Sequence, residues 1–365
     1  MNNIVVSAAA LRMGGAVTIY NQFIEHLKSN IGENKYFIFI NDILNAPEIN
    51  GVRYYKIDLS SHKRRVKFDY KECLTILKNE HFHPDVVISL QNTGVACLRH
   101  LPHIIYYHQP HPFFSRRWNP FKKNERGLFL YKYFYLYFVK KSIGQKTQFV
   151  VQTEFIRNGL SKKLRIDDRK VHVCFPDIEI PNVNSVLEYP FPSDTYNIIY
   201  PSLYSPHKSH EVLVDALTIL KKECHDTLSN IRLYFTVDKT EAPDLFDRVC
   251  MNGLESHVMF LGKLPYESVL SLYKSANLML FPSTMETLGL PLVEAAAFGL
   301  PVFAADLAYA REVLCGYSGV QYVKAENPRA WASSLKRFIV KDNRVTYPEF
   351  KAQDRPGWAE FFNLI

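Results

Sequence analysis

Short runs of β-branched and aromatic residues alternate along this chain with longer stretches whose apolar positions recur every three to four residues. The short runs predict strands at 3–8 (NIVVSA), 36–41 (YFIFIN), 84–90 (PDVVISL), 103–108 (HIIYYH), 147–152 (TQFVVQ) and 170–175 (KVHVCF). The longer stretches predict helices at about 15–29, 64–80, 127–143 and 153–162. Strands this continuously apolar, separated by helices, belong to parallel sheets covered on both faces. A stretch rich in Pro, Asn and Ser, "PDIEIPNVNSVLEYPFPSD" (176–194), then breaks the periodicity and predicts a linker. The alternation restarts with strands at 196–201, 231–237, 258–262, 278–281, 301–305 and 319–323, and with helices that include "SHEVLVDALTILKKE" and "PYESVLSLYKSA". The last residues, "GWAEFFNLI", predict a short closing helix with an aromatic face. The expected architecture is α/β, with two Rossmann-like doubly wound domains at 1–185 and 186–345, and a segment 346–365 packing back toward the first. A cleft between the carboxyl ends of both sheets is the expected ligand site.

Composition narrows the class. At 365 residues, two domains are expected. With 47% hydrophobic and 22% charged residues, the chain has ample core material and no signature of disorder. Six cysteines are scattered without a Cys-x-x-Cys pair, which fits reduced cytoplasmic thiols better than disulfides or a zinc site. The start "MNNIVVSAAALRMGG" has no basic region and reads as a core strand, not a signal peptide. No stretch approaches the roughly 20 apolar residues that span a bilayer.

The formal net charge of +8 has one source, because residues 116–146 hold nine lysines and arginines against the single Glu125. A local cluster argues against a broad nucleic-acid surface and for one anionic partner surface. The same region is rich in Phe, Tyr and Trp, so the segment 113–146 is expected to rest on an anionic membrane surface, chiefly through the loop 113–126 and the two ends of the helix. Its apolar core, 127–139, is too short to cross and contains Lys132.

Residues 281–306 read "FPSTMETLGLPLVEAAAFGLPVFAAD". "LMLF" predicts a buried strand and "PLVEAAAFG" a helix, with Pro291 in its first turn and Gly299 ending it in the left-handed region. Glu286, Thr287, Leu288 and Gly289 then form a strand-to-helix loop at the carboxyl end of the sheet. There a helix start offers free N–H groups, and a glycine lets a ligand approach the backbone. Glu294, one turn into the helix, can accept two hydrogen bonds from a vicinal diol such as a ribose, and Glu286 can bind hydroxyls of a second ring. The plain alternative is a pair of solvated surface carboxylates. The otherwise apolar helix argues that Glu294 lies near a buried surface and needs partners.

The stretch closely resembles the glutamate-x7-glutamate motif of retaining glycosyltransferases of family 4, the glycosyl transferases group 1, which have the GT-B fold. The flanking Pro-Ser and the two Gly-Leu-Pro segments match as well, and the likeness covers most of residues 196–340. In "YPSLYSPHKSHEVLVDAL" (200–217) Lys208 matches a family lysine that faces the donor diphosphate. The family's accompanying arginine is missing, and Ser202 and Ser205 occupy the loop instead. A cation is needed there because the departing nucleoside diphosphate is an anion. By resemblance, Gly14 and Gly15 lie near the donor phosphates, though a simple tight turn would also use them. His108, in "YYHQPHPFF", matches a histidine that contacts the transferred sugar, and the backbone around Lys263 receives the base. His207 and His210 flank Lys208 and either assist the phosphates or lie on the surface. Thr153 and Glu154 are expected to cap a helix. A metal site at His103, His108 and His111 lacks supporting carboxylates and is not expected.

The resemblance implies a retaining hexosyltransferase. Its first domain would bind the acceptor and its second a UDP- or GDP-sugar, without a cofactor or metal. The acceptor would be a saccharide or lipid-linked saccharide of O-antigen or capsule synthesis, with the enzyme cytoplasmic and peripheral at the inner face of the plasma membrane. Competing readings are a nucleotide-sugar 2-epimerase of the same fold and an inactive nucleotide-sugar-binding protein.

Overall fold

The computed structural model describes residues 1–12, 15–178, 182–341, 345–350 and 356–365. The chain divides into two compact units, Met1–Asp177 with Asp354–Ile365, and Ile178–Gln353. The boundary expected at 185/186 therefore falls earlier, inside the Pro- and Asn-rich stretch. Residues 346–350 stay with the second unit, where Tyr347 N–H donates to Gly299 O at 2.8 Å and Phe350 N–H to Ala296 O at 3.1 Å.

The first unit holds seven strands, β1 (Asn3–Ser7), β2 (Lys35–Ile40), β3 (Val52–Lys56), β4 (Val86–Ser89), β5 (His103–Tyr107), β6 (Thr147–Val151) and β7 (Val171–Val173). They form one parallel sheet in the order β3-β2-β1-β4-β5-β6-β7. The inner strands β4 and β5 are buried at every position, as their uninterrupted apolar runs require. β3 was not foreseen. It is an edge strand, "VRYYK", with no fully buried position, so it lacks the continuous apolar signal. The helical pattern at 64–80 resolves into two short helices, His62–Lys67 and Cys73–Asn79, joined by a π-helical turn at Phe68–Glu72 that buries Phe68 and Asp69.

The closing helix Trp358–Phe362 belongs to this unit. Trp358 and Phe361 are buried against Phe23 and Tyr106, and the indole N–H donates to Gln22 Oε1 at 3.0 Å. Phe175 N–H donates to Pro356 O at 2.6 Å, so the outgoing and returning stretches of chain are hydrogen-bonded side by side.

The second unit has six strands, β8 (Tyr196–Tyr200), β9 (Ile231–Phe235), β10 (Val258–Phe260), β11 (Leu278–Phe281), β12 (Val302–Ala305) and β13 (Val320–Val323). All pair in parallel, in the order β10-β9-β8-β11-β12-β13. The strand order reverses between β8 and β11 here, and between β1 and β4 in the first unit. At such a switch point the loops leaving two neighbouring strands diverge and open a crevice at their carboxyl ends.

Gly299 ends the helix Leu290–Ala297 at φ +66°, and a Cβ built there would lie 2.2 Å from the Tyr347 carbonyl oxygen. Gly299→Ala is expected to destabilise the second unit by at least about 1–3 kcal/mol, from left-handed strain alone. Urea or thermal unfolding of the variant checks this, and an unchanged midpoint would contradict it.

Candidate functional site

At the β8/β11 switch point two loops meet. The β8 loop closes with a 3-10 turn, Pro206–Lys208, and Ser209 in the left-handed region (φ 55°) leads into the helix His210–Glu223. Tyr200, the last residue of β8, anchors the turn by donating its hydroxyl to Lys208 O at 2.7 Å. From the other loop, Thr284 N–H donates to His207 O at 2.7 Å, and Tyr309 hydroxyl donates to Ser283 O at 2.7 Å. In this frame the Lys208 ammonium lies 2.5 Å from Glu286 Oε1, and the buried Ser283 hydroxyl donates to the same oxygen at 2.7 Å. The two charged side chains are only 18% and 15% exposed. The structure thus brings together the lysine expected at a diphosphate and the glutamate expected at a sugar.

Gly289, at φ +75°, forms the N-cap of the helix Leu290–Ala297, and Pro291 sits in its first turn. Leu288 is buried and Thr287 half-buried, so the Leu288 side chain serves the core, and this loop can meet a ligand through backbone groups. Glu294 is half-buried one turn further on. Its carboxylate accepts from Tyr273 hydroxyl at 3.0 Å on Oε2 and from Tyr266 hydroxyl at 3.2 Å on Oε1. Burial raises its pKa, and the two phenols offset part of that rise. The surface-charge alternative for Glu294 is thereby excluded. The carboxylate is held in place, and each oxygen keeps lone-pair capacity for one more donor.

Sequence reasoning missed both tyrosines. Their signal was present, since they stand seven positions apart on the helix Tyr266–Ser275, a spacing that places them on one face. The exposed Lys263 lies in the loop after β10, next to Gly262 at φ +72° and three residues before Tyr266. That loop is thus tied to Glu294 through Tyr266.

Ser202 and His210 form a third part of the site. His210 is fully buried, packed at a tilt against Tyr200 (centroids 4.6 Å), and its Nε2 lies 3.0 Å from Ser202 Oγ. Burial, aided by the nearby Lys208 cation, pushes its pKa down to about 3, so the ring is neutral at physiological pH. A surface role for His210 is excluded. His207 is half-buried, its Nδ1 2.8 Å from Ser205 Oγ.

The first unit holds the remaining expected residues. Gly14 lies outside the described residues. Gly15 opens the helix Gly15–Asn30, with open space where a Cβ would stand. His108 follows β5. Its backbone N–H donates to Asn92 Oδ1 at 2.6 Å, its Nε2 lies 3.3 Å from Asn92 Nδ2, and Asn92 itself adopts φ 69°. Burial, with a contribution from the Arg65 cation, pushes its pKa down to about 4, and its Nδ1 has no hydrogen-bond partner among the described residues. Arg65 donates to Gln91 O at 2.6 Å and Thr93 Oγ1 at 2.8 Å, which fixes the loop that carries Asn92. Thr153 accepts from Ile156 N–H at 3.4 Å as a helix N-cap, whereas Glu154 is exposed and paired with Arg157 at 3.1 Å. Among the described residues no three His, Cys, Asp or Glu side chains are grouped to hold a metal ion.

Comparison with known proteins gives a consistent picture. The family described as glycosyl transferases group 1 matches residues 187–353. The chain is 23% identical over 208 residues to the O-antigen chain mannosyltransferase RfbU of Salmonella typhimurium, covering 57% of this chain and 55% of that protein. It is 25% identical over 200 residues to the capsular polysaccharide biosynthesis glycosyltransferase CapH of Staphylococcus aureus, covering 54% and 53%. These matches span about half the length of each relative. Among solved structures, Anabaena HepE in complex with UDP and glucose superposes with a TM-score of 0.62 at 14% identity, over 95% of this chain and 92% of that one. That likeness bears on fold alone, and the architecture is GT-B.

The buried His210 makes stability pH-dependent. An unfolded histidine takes up a proton near 6.5, whereas the folded ring resists until about 3. Between these values the unfolded state binds more protons, so stability rises with pH and is lost as pH falls, by up to about 1.4 kcal/mol per pH unit. His210→Asn is expected to show a shallower fall than wild type between pH 6.5 and 4.5 in urea unfolding. Equal slopes would contradict a buried neutral ring.

Proposed function

Residues 187–353 match the family described as glycosyl transferases group 1, and on that likeness we propose that the chain is a retaining hexosyltransferase. It would take its sugar from a UDP- or GDP-sugar and deliver it to a saccharide or lipid-linked saccharide of a cell-surface polysaccharide, at the cytoplasmic face of the membrane. The observation that carries the reading is the convergence of Lys208, Glu286 and the Gly289 backbone at the β8/β11 switch point, with Glu294 one helical turn away and held by two phenols. The sequence likeness to RfbU and CapH supports the polysaccharide context.

In this reading Glu294 accepts the two ribose hydroxyls. Lys208 and the helix start at Leu290 face the diphosphate, and Glu286 holds hydroxyls of the sugar. Loss of the anomeric C–O bond leaves a nucleoside diphosphate whose growing charge the ammonium stabilises. The acceptor oxygen bonds to the anomeric carbon on the same face, and its proton passes to the departing phosphate oxygen. Ser202 occupies the loop where the family arginine is missing. With His210 Nε2–H donating to Ser202 Oγ, the serine proton is free to point at a phosphate oxygen, a neutral replacement for part of the lost charge. The role that the family pattern implies for His108, a hydrogen bond to the sugar, suits the neutral ring that burial enforces. No step requires a metal.

Lys208→Met is expected to weaken binding of the free nucleoside diphosphate ten- to a hundredfold, the loss of a charged hydrogen bond worth about 1.5–3 kcal/mol. Glu286→Gln should instead lower kcat for sugar transfer without weakening nucleoside diphosphate binding, since it acts on the sugar and its loss frees the Lys208 ammonium for the anion. Calorimetry with UDP and GDP, beside turnover assays on the matching sugars, separates the two. Unchanged affinity in Lys208→Met, or parallel losses in Glu286→Gln, would overturn these assignments. Sugar interconversion without any acceptor would replace transfer by epimerisation.

A further inference from the structure

The helix Arg126–Ser142 presents apolar side chains to solvent as well as to the core. Only Val139 and Ser142 are fully buried, whereas Leu130, Tyr133, Phe134, Tyr137 and Phe138 are each about half or more exposed. Their spacing of three and four residues puts all five on one outward face. Arg126 lies at one end of this stripe and Lys140 and Lys141 at the other, all exposed. The preceding loop adds Phe121, 95% exposed, beside the exposed Lys122 and Lys123. The helix carries no acidic residue, and the neighbouring Glu125 is engaged by Asn119 N–H at 2.8 Å and by Lys122 at 3.6 Å.

We propose that this stripe is a docking surface for an anionic lipid bilayer, with the helix lying in the plane of the interface. Charge complementarity selects the occupant. A second copy of the chain would bring the same lysines and arginines face to face, whereas an anionic leaflet neutralises them. The composition of the stripe fits as well, since exposed Tyr and Phe suit a boundary that is apolar on one side and wet on the other. At about 1.5 Å per residue the helix is about 26 Å long, and among the described residues no helix is long and apolar enough to cross a membrane.

The structure also changes which residues serve. Trp118, expected at the surface, is buried, with Arg116 stacked on it at 4.7 Å. Lys132 is turned inward and donates to Phe114 O at 2.6 Å. The middle of the helix, not only its ends and the loop, supplies the apolar contact. The inference is independent of the sugar-transfer reading, because every residue named lies in the first unit and none belongs to the proposed donor site.

The test is co-sedimentation of the full chain with phosphatidylcholine vesicles, with and without about one third phosphatidylglycerol, at low and high salt. Wild type should pellet with the anionic vesicles and be released by salt. Each basic residue near such a surface contributes about a fivefold factor, corresponding to about 1 kcal/mol. Lys122→Ser with Lys123→Ser and Lys140→Ser with Lys141→Ser should therefore reduce partition far more than tenfold. Phe134→Gln with Phe138→Gln should reduce it at least tenfold with an unchanged melting temperature, since both rings are exposed. Wild type remaining in the supernatant overturns the proposal. So does aromatic-variant binding equal to wild type, which would leave charge attraction only. A concentration-dependent dimer that the aromatic variant abolishes, without vesicle binding, assigns the stripe to a second copy instead.

Discussion

Lys208 and Glu286 staple two loops that the sheet order alone would leave free to separate. β8 and β11 run side by side, but the segments leaving them diverge toward helices on opposite faces, as at any switch point. The 2.5 Å ion pair, the Ser283 hydroxyl beneath it and the Thr284 N–H on His207 O close that divergence. Both charges are largely withdrawn from water, so removing either leaves the other with an uncompensated desolvation cost. An anion entering beside Lys208 would share its ammonium with Glu286 rather than find it bare. In the proposed reading the pair would join recognition of a phosphate to orientation of a sugar.

The second unit was largely legible from the sequence because its strands are continuously apolar. All six predicted strands form, and Pro291 and Gly299 stand where their backbone chemistry requires. Legibility failed where burial is partial. β3 carries Arg53 and Lys56 on an exposed edge and shows no apolar run. The π-helical turn at 68–72 leaves no mark in a three-to-four-residue periodicity. In the site, Glu286, Glu294 and Lys208 were visible as a motif, but their partners were not. Tyr266, Tyr273 and Tyr309 come from other elements and read locally as ordinary helix residues, whereas Ser283 stands in the same strand-to-helix loop as Glu286. His210 read equally as a phosphate partner or a surface histidine beside a lysine, and the packing of Tyr200 and Phe235 that buries it, with the Lys208 cation nearby, makes it neutral.

The basic segment teaches a related lesson. Its aromatics occur all round the helix in the sequence, so periodicity could not say which face turns inward. The structure settles that with Val139 and Ser142, and with Lys132, whose ammonium is drawn to main-chain carbonyls. Orientation of a helix with apolar residues on every side is decided by a few polar anchors.

The first unit is made of two separate stretches of chain, and that has a consequence for biosynthesis. A ribosome delivers residues 1–177 first, yet Phe23 and Tyr106 await Trp358 and Phe361, which emerge only after the whole second unit. The domain begun first is completed last. Until then it presents an apolar patch to the cell, and premature termination anywhere in the second unit would leave that patch permanently bare, a ready target for chaperones and proteases.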